Sequence, residues 1–419
     1  MRIELQAVIL CGGLGTRLRP LTDGLPKPMA PVNGRPFLEY LLNQLSRQGV
    51  TRFILLTGYL GDSVRDYFGD GSRWGWDIGY SQGPTEWDTG RRVFEASELF
   101  DPQFLLMYSD NFVQFNLSRL KALHSRQGTP VSLLLAPKVK GNIRVSEVGS
   151  VLAYDKSRSG EGFDFVEVGY MLVERDRMLA DLAQCTGFPN VDFSILLERY
   201  AASNRLSGLI VRDPYHSISD LERLKLMSSY QAHKKIILID RDGTINFKAD
   251  PGQYIADWSR FEWISDTRSA MKRLAAEGFE FIVITNQAGI ARGMVSAETV
   301  TEIHELMVSE LAADGINVRS VYMSPHHWDE NSFQRKPSPG MFFQAAEEHL
   351  IRMDHCVYIG DDERDCVAAA NAGCGMVYLT DEIGMPDLSE KPVPYLQADS
   401  LLTCVDWIVE QYRDWETYQ

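Results

Sequence analysis

The stretch Ile236-Ile237-Leu238-Ile239-Asp240-Arg241-Asp242-Gly243-Thr244-Ile245-Asn246 decides how the rest of the chain is read. Its short apolar run predicts a buried strand of a parallel sheet. Two aspartates, two residues apart, stand where that strand ends. Gly243 and Thr244 then suit a tight turn. In open α/β sheets, ligands bind beyond the carboxyl ends of the strands. Two carboxylates in that position can share one divalent cation, and one of them can attack a phosphorus atom. The stretch also lies near the middle of the 419 residues, where a second domain should begin.

Further along, ordered partners follow. A second apolar run, 281–284, ends at Thr285-Asn286-Gln287-Ala288-Gly289-Ile290-Ala291-Arg292-Gly293. Arg335-Lys336-Pro337 comes next, and then Val357-Tyr358-Ile359-Gly360-Asp361-Asp362-Glu363-Arg364-Asp365. In that order the motifs resemble the haloacid dehalogenase phosphatases. The Thr-Asn-Gln run is similar to the branch that holds heptose-bisphosphate and histidinol phosphatases. The resemblance implies a doubly wound domain over 233–419, with Asp240 as the nucleophile of an aspartyl-phosphate and Asp242 as general acid, then base. It implies that Thr285 donates to the phosphoryl oxygens, Lys336 steadies nucleophile and phosphate, and Arg335 and Asn286 contact substrate. Asp240, Asp361 and the main-chain carbonyl of Asp242 would hold one magnesium ion, with Asp365 in support. Relatives of this type often carry a zinc loop of the form Cys-x-His followed by Cys-x-Cys. Here Ser324-Pro325-His326-His327 and Ser332-Phe333-Gln334 stand in those places, without a thiolate. One histidine cannot close a tetrahedral site, so no zinc is expected.

In the other half, Ala7-Val8-Ile9-Leu10 reads as a first strand. It runs into Cys11-Gly12-Gly13-Leu14-Gly15-Thr16-Arg17-Leu18-Arg19-Pro20, and Leu25-Pro26-Lys27-Pro28-Met29 follows. Glycines let main-chain amides approach phosphate oxygens, and Arg17 adds a planar, bidentate cation. Together these motifs resemble the sugar-1-phosphate nucleotidyltransferases, and the continuation through 29–42 resembles their heptose-1-phosphate guanylyltransferase branch. The resemblance implies a Rossmann-like, glycosyltransferase-A-like domain over 1–232. In it Gly12, Gly13, Gly15 and Arg17 hold a nucleoside triphosphate and Lys27 reaches the α-phosphate. Asp110, after the 104–108 strand, binds a second magnesium ion. Lys156 grips the sugar phosphate, and Glu167 accepts from sugar hydroxyls. Thr89 and Gly90 remain of a base-contacting loop, but Arg91 and Arg92 replace small residues and make it bulky and cationic. Ser217 stands where the family has a second magnesium-binding aspartate, with Asp213 or Asp220 as substitutes. Helical periodicity over 219–234 predicts a helix joining the halves.

Composition sets outer bounds. The hydrophobic share of 44% and charged share of 24% are ordinary for a globular α/β protein. A net charge of −15 argues against nucleic-acid binding. No apolar run reaches the roughly 18 to 20 residues of a membrane span. The six cysteines lack metal-ligand spacing and read as reduced thiols of a cytoplasmic protein. Residues 386–419 read as a closing strand and an amphipathic helix used for packing or for homo-oligomer contacts.

A phosphatase that removes the distal phosphate of a sugar bisphosphate leaves a sugar 1-phosphate, and a nucleotidyltransferase activates that product. The resemblances therefore imply a bifunctional enzyme of nucleotide-sugar biosynthesis. It would act on D-glycero-D-manno-heptose 1,7-bisphosphate and then on the sugar 1-phosphate, with GTP favoured. Two alternatives stay open at this stage. In one, the N-terminal half only binds or docks; in the other, both activities act on a different sugar phosphate.

Overall fold

The computed structural model describes residues 5–158, 160–382, 388 and 391–417. The chain divides into two compact units, Met1–Ser229 and Tyr230–Gln419.

In the first unit, four parallel strands form one side of a nine-stranded sheet. They lie in the order Asp77–Gln82, Arg52–Thr57, Gln6–Cys11 and Gln103–Tyr108. Gln6–Cys11 is buried throughout, which suits its unbroken apolar run. The sheet then changes sense. The long strand Phe165–Glu174 runs antiparallel to Gln103–Tyr108 and to Val131–Pro137. Leu206–Ile210 extends the sheet parallel to Val131–Pro137. The helices Phe37–Arg47 and Gly61–Phe68 lie between these strands in the sequence.

The second unit has a six-stranded, all-parallel sheet. Its order is Val318–Ser324, Glu280–Asn286, Ile236–Ile239, Val357–Gly360, Gly375–Leu379 and Tyr395–Ala398. The quoted apolar run is its central strand. Ile237 and Ile239 enter the core on one face, Ile236 and Leu238 the core on the other, and all four are fully buried. Covering both faces is why that run shows no polar alternation. From Ile236–Ile239 the chain first builds outward on one side and then returns to build on the other. The crevice beside Val357–Gly360 is therefore a topological switch point, where such sheets bind ligands.

The closing strand is Tyr395–Ala398 and the last helix Val405–Thr417. Ile408, Val409 and Tyr412 of that helix pack into the unit's own core, so packing is the role it fills. The parts of the 386–419 expectation that fall on 386–387, 389–390 and 418–419 lie outside the described residues. All six cysteines are buried and unbridged, and no helix among the described residues is long and apolar enough to cross a membrane.

Candidate active sites

Asp240 leaves the end of its strand and is almost completely buried. Its Oδ1 accepts from the Arg241 amide at 2.7 Å and from Lys336 Nζ at 2.9 Å. The same ammonium lies 2.8 Å from Asp365 Oδ1 and donates to the Tyr358 hydroxyl at 2.6 Å. Asn286 fixes the lysine's main chain from both sides. It donates to the Lys336 carbonyl at 3.0 Å and accepts from its amide at 3.1 Å. Thr285 Oγ1 accepts from Gln287 Nε2 at 3.0 Å, and Arg335 donates to the His326 carbonyl at 3.1 Å. Asp240, Asp242, Thr285, Asn286, Arg335 and Lys336 line one open crevice.

Electrostatics separates the two aspartates. Burial pushes the Asp240 carboxyl up to about 7, while Lys336 pulls against the rise. Burial also works against the Lys336 ammonium, but Asp240 and Asp365 outweigh it and hold its pKa above the usual lysine value. At Asp242 burial is overcome by Arg241, Asn246 and Gln287, which hold the carboxyl below the usual range. Arg241 Nη2 reaches both Asp242 oxygens, at 2.9 and 2.8 Å. Its Nη1 lies 2.8 Å from His304 Nε2. A guanidinium only donates, so Nε2 accepts and the ring is neutral. Burial, followed by Arg241, takes the His304 pKa down to about 3.

The crevice fits a hard cation. Oxygens of Asp240, Asp361 and Asp365 lie within 4.8 Å of one another, the one such group among the described residues. Asp361 Oδ1 is buried and lacks a hydrogen-bond partner, while its Oδ2 holds Lys248 Nζ at 2.5 Å. The Asp365 oxygens accept from Lys336, Tyr358 and the Asp362 amide, which leaves Asp240 and Asp361 as the donors. An all-oxygen donor set of this kind suits magnesium. Gly243 has φ 89°, and a Cβ there would stand 2.2 Å from Asp361 Oδ2, so only glycine lets the turn close over the site.

The 324–334 segment, where no zinc is expected, is different in kind. Ser324 Oγ is buried with no partner, and His326 Nδ1 is engaged by Glu330 at 2.9 Å. This donor set does not fit a structural zinc.

In the first unit, Gly12, Gly13, Gly15, Arg17, Lys27, Thr89 and Asp110 line one cleft at the ends of Gln6–Cys11 and Gln103–Tyr108. Ser109 Oγ donates to the Leu10 carbonyl at 2.6 Å and ties those strand ends together. Lys27 Nζ stands 2.6 Å from Asp110 Oδ2. A Cβ on Gly15 would meet the Lys27 side chain at 2.9 Å, so glycine lets the lysine loop pack against the turn. Lys156 and Glu167 lie outside this lining. Lys156 pairs with Asp192 at 3.2 Å, and Glu167 accepts from the Tyr154 hydroxyl at 3.3 Å. Burial raises Glu167 to about 7, and Asp110 and Asp192 add to the rise.

One expectation about the 86–92 loop needs correction. Gly90 does not face the cleft. Its amide donates to the Val191 carbonyl at 2.9 Å, and a Cβ would collide with that oxygen at 2.5 Å, so the glycine serves packing. Of the two arginines, Arg92 is in the cleft lining and Arg91 is not. Arg91 lies over the Trp87 ring and pairs with Glu95. Arg92 turns inward and donates to the carbonyls of Thr57 at 2.9 Å, Pro84 at 2.5 Å and Trp87 at 3.2 Å. Its guanidinium lies directly under Gly12. Asp220 does not substitute at Ser217 either. It accepts from the Arg223 amide at 2.9 Å ahead of the Leu221–Gln231 helix, while Arg223 Nη1 donates to Ser217 Oγ at 3.1 Å.

Sequence reasoning missed Arg241, Gln287, Tyr358, Lys248 and Arg92 as structural partners of these sites. Arg241 and Gln287 lie inside quoted motifs, and their polarity at buried positions was the available signal. Lys248 and Arg92 gave none, because only the folded chain brings them to Asp361 and Gly12.

Comparison with known proteins gives matches to both units. A nucleotidyl transferase family model matches residues 6–149, and a polynucleotide kinase 3 phosphatase model matches residues 235–372. A D-glycero-beta-D-manno-heptose-1,7-bisphosphate 7-phosphatase of Yersinia pestis is 34% identical over 42% of this chain and 91% of its own length. A D-glycero-alpha-D-manno-heptose 1-phosphate guanylyltransferase of Campylobacter jejuni is 33% identical over 36% of this chain and 68% of its own length. A solved D,D-heptose 1.7-bisphosphate phosphatase from B. bronchiseptica, complexed with magnesium and phosphate, is 28% identical. That match covers 42% of this chain and 99% of the other, with a TM-score of 0.39.

Proposed function

Since the chain belongs to two families joined end to end, the sugar-phosphate nucleotidyltransferases and the heptose-bisphosphate branch of the haloacid dehalogenase phosphatases, we propose that it catalyses consecutive steps of heptose activation. The C-terminal unit removes the 7-phosphate of D-glycero-D-manno-heptose 1,7-bisphosphate. The N-terminal unit then transfers a nucleotidyl group, from GTP by preference, to the 1-phosphate that remains. Cleavage at C7 leaves the anomeric centre untouched, so both units must accept the same anomer. The guanylyltransferase relative's name carries the α form and the Yersinia pestis phosphatase's the β form, so the anomer is left to the test below.

In this reading the Asp240 carboxylate attacks phosphorus and forms an aspartyl-phosphate. Lys336 stabilises the carboxylate and the incoming phosphate oxygens, and Thr285 donates to those oxygens. Asp242 protonates the departing C7 oxygen and then takes a proton from the water that hydrolyses the phospho-enzyme. Its low pKa in the free site favours the second role. The negative charge of a bound phosphoryl group, close to Asp242, raises that pKa and prepares the first. Asp240, Asp361 and the Asp242 carbonyl would hold a magnesium ion, which supplies charge neutralisation at phosphate. Arg335 and Asn286 position the substrate and Lys336.

In the first unit, Gly12, Gly13, Gly15 and Arg17 cradle the triphosphate. Lys27 approaches the α-phosphate, and the sugar 1-phosphate attacks there with loss of pyrophosphate. Asp110, with its Oδ2 beside Lys27, would hold the second magnesium ion. Lys156 and Glu167 bind the sugar phosphate and its hydroxyls. Six unbridged cysteines suit a reducing, cytoplasmic setting.

One observation carries this reading: a buried Asp240–Lys336 pair beside the unpartnered Asp361 oxygen shares a chain with a glycine and lysine cleft of the transferase type. The test is phosphate and pyrophosphate release from heptose 1,7-bisphosphate, each anomer with each nucleoside triphosphate in turn. Orthophosphate followed by pyrophosphate with one triphosphate is the expected outcome. The Arg223–Ser217 contact favours a second reading, in which the first unit binds a nucleotide sugar without turnover. Orthophosphate alone, with every triphosphate, would establish that second reading.

A further inference from the structure

The 324–335 segment holds itself through its own side chains. Trp328–Glu330 forms a short turn with a reciprocal cap. The His327 amide donates to Glu330 Oε1 at 2.7 Å, and the Asp329 amide donates to His327 Nδ1. Glu330 Oε2 also holds His326 Nδ1, and Arg335 ties the His326 carbonyl back to the phosphate-binding pair. This clasp presents Trp328 at the crevice lining with 51% of its surface exposed. A half-exposed indole in a crevice lining offers flat apolar surface to a ligand bound there. The indole is not loose. The His327 ring backs it at 3.7 Å between centroids, and the Arg292 guanidinium stands 5.6 Å from it. The same guanidinium stands 5.8 Å from the Tyr254 ring, and Arg292 Nη1 donates to the Tyr254 hydroxyl at 3.3 Å. Tyr254 in turn packs on Gly289, where a Cβ would intrude to 2.7 Å. Trp328 and Tyr254 both line the crevice, and the Arg292 guanidinium bridges their rings.

We propose that Trp328, carried on a turn that needs no metal, is a specificity-determining residue of the phosphatase. Its open indole surface covers the C–H face of the sugar, and Glu330 acts as the positioning residue that holds the turn. The inference rests on the sugar-bisphosphate reading above and adds the group that recognises the sugar.

The test compares kcat and KM for heptose 1,7-bisphosphate and for acetyl phosphate, which carries no sugar. In Trp328→Ala, KM for the bisphosphate rises roughly tenfold at near-constant kcat. The ratio of kcat/KM between the two substrates falls by the same factor, and Trp328→Phe recovers most of it. Glu330→Ala follows Trp328→Ala, while Glu330→Gln keeps an acceptor for the His327 amide and stays near wild type. Metal analysis of the purified full chain finds no stoichiometric zinc. An unchanged substrate ratio in Trp328→Ala, or one zinc per chain, overturns the proposal while leaving the phosphatase reading intact. A wild-type protein that hydrolyses acetyl phosphate but not the bisphosphate overturns both, and does so before any variant is made.

Discussion

The two clefts handle charge in opposite ways. In the C-terminal crevice four of the aspartates have counter-cations built in. Asp240 and Asp365 share Lys336, Asp242 has Arg241, and Asp361 has Lys248. In the N-terminal cleft one such pair, Lys27 and Asp110, stands at the floor, and Arg17 is exposed at the rim. Covalent attack by a carboxylate needs a nucleophile fixed before substrate arrives, which the first arrangement provides. Transfer between two bound phosphates joins reactants that bring their own charge. There the protein's share is a glycine lining that admits phosphate close to the main chain, and a few cations.

The comparison predicts that the two sites fail independently. Asp240→Asn should lower orthophosphate release by at least about 10⁴-fold. Pyrophosphate release from supplied sugar 1-phosphate should be unaffected, and simultaneous loss of both would show coupled sites. Lys27→Ala should do the reverse, with nucleotidyl transfer down roughly 10²- to 10³-fold and orthophosphate release intact.

Smaller effects concern stability. Arg92→Ala would take one donor each from the carbonyls of Thr57, Pro84 and Trp87, of which Thr57 keeps the Gly83 amide and Pro84 the Trp87 amide. It should cost the first unit about 3 kcal/mol in urea unfolding, with the second unit's transition unmoved. A loss under about 0.5 kcal/mol would mean that water replaces the guanidinium. The last effect is a pH dependence. Glu167 moves from 4.5 to about 7 in the folded chain, so between those values the folded form alone keeps the proton. Stability of the first unit should therefore fall as pH rises through that window and level off above it. Glu167→Gln should flatten the slope, as read from thermal midpoints at pH 5, 6, 7 and 8.

The comparison also accounts for what was legible in advance. The run 236–246 identified both its strand and the crevice, because apolar patterning and strand-end carboxylates are local signals. Lys336 and Asp361 were identifiable because their motifs keep a fixed order along the chain. The inward turn of Arg92 was not, since its acceptors come from Thr57 and Pro84, distant in sequence. Gly90 looked like an approach for a base and is a packing contact with Val191, because a glycine's missing side chain does not say which neighbour needs the space. The 326–330 turn was seen only as a lost zinc site. Recognising a cap in its place requires knowing that His327 and Glu330 face each other.

The buried thiols give the molecule a further property. Cys11 ends the strand that feeds the glycine turn, and Cys366 follows Asp365, so each cleft has a sulfur close behind it. Burial pushes both thiols up to about 12. Peroxide reacts with thiolates, and at neutral pH these positions present almost none. Oxidative stress should therefore leave both activities in place until the chain itself opens, and a reducing agent should be dispensable for the folded enzyme.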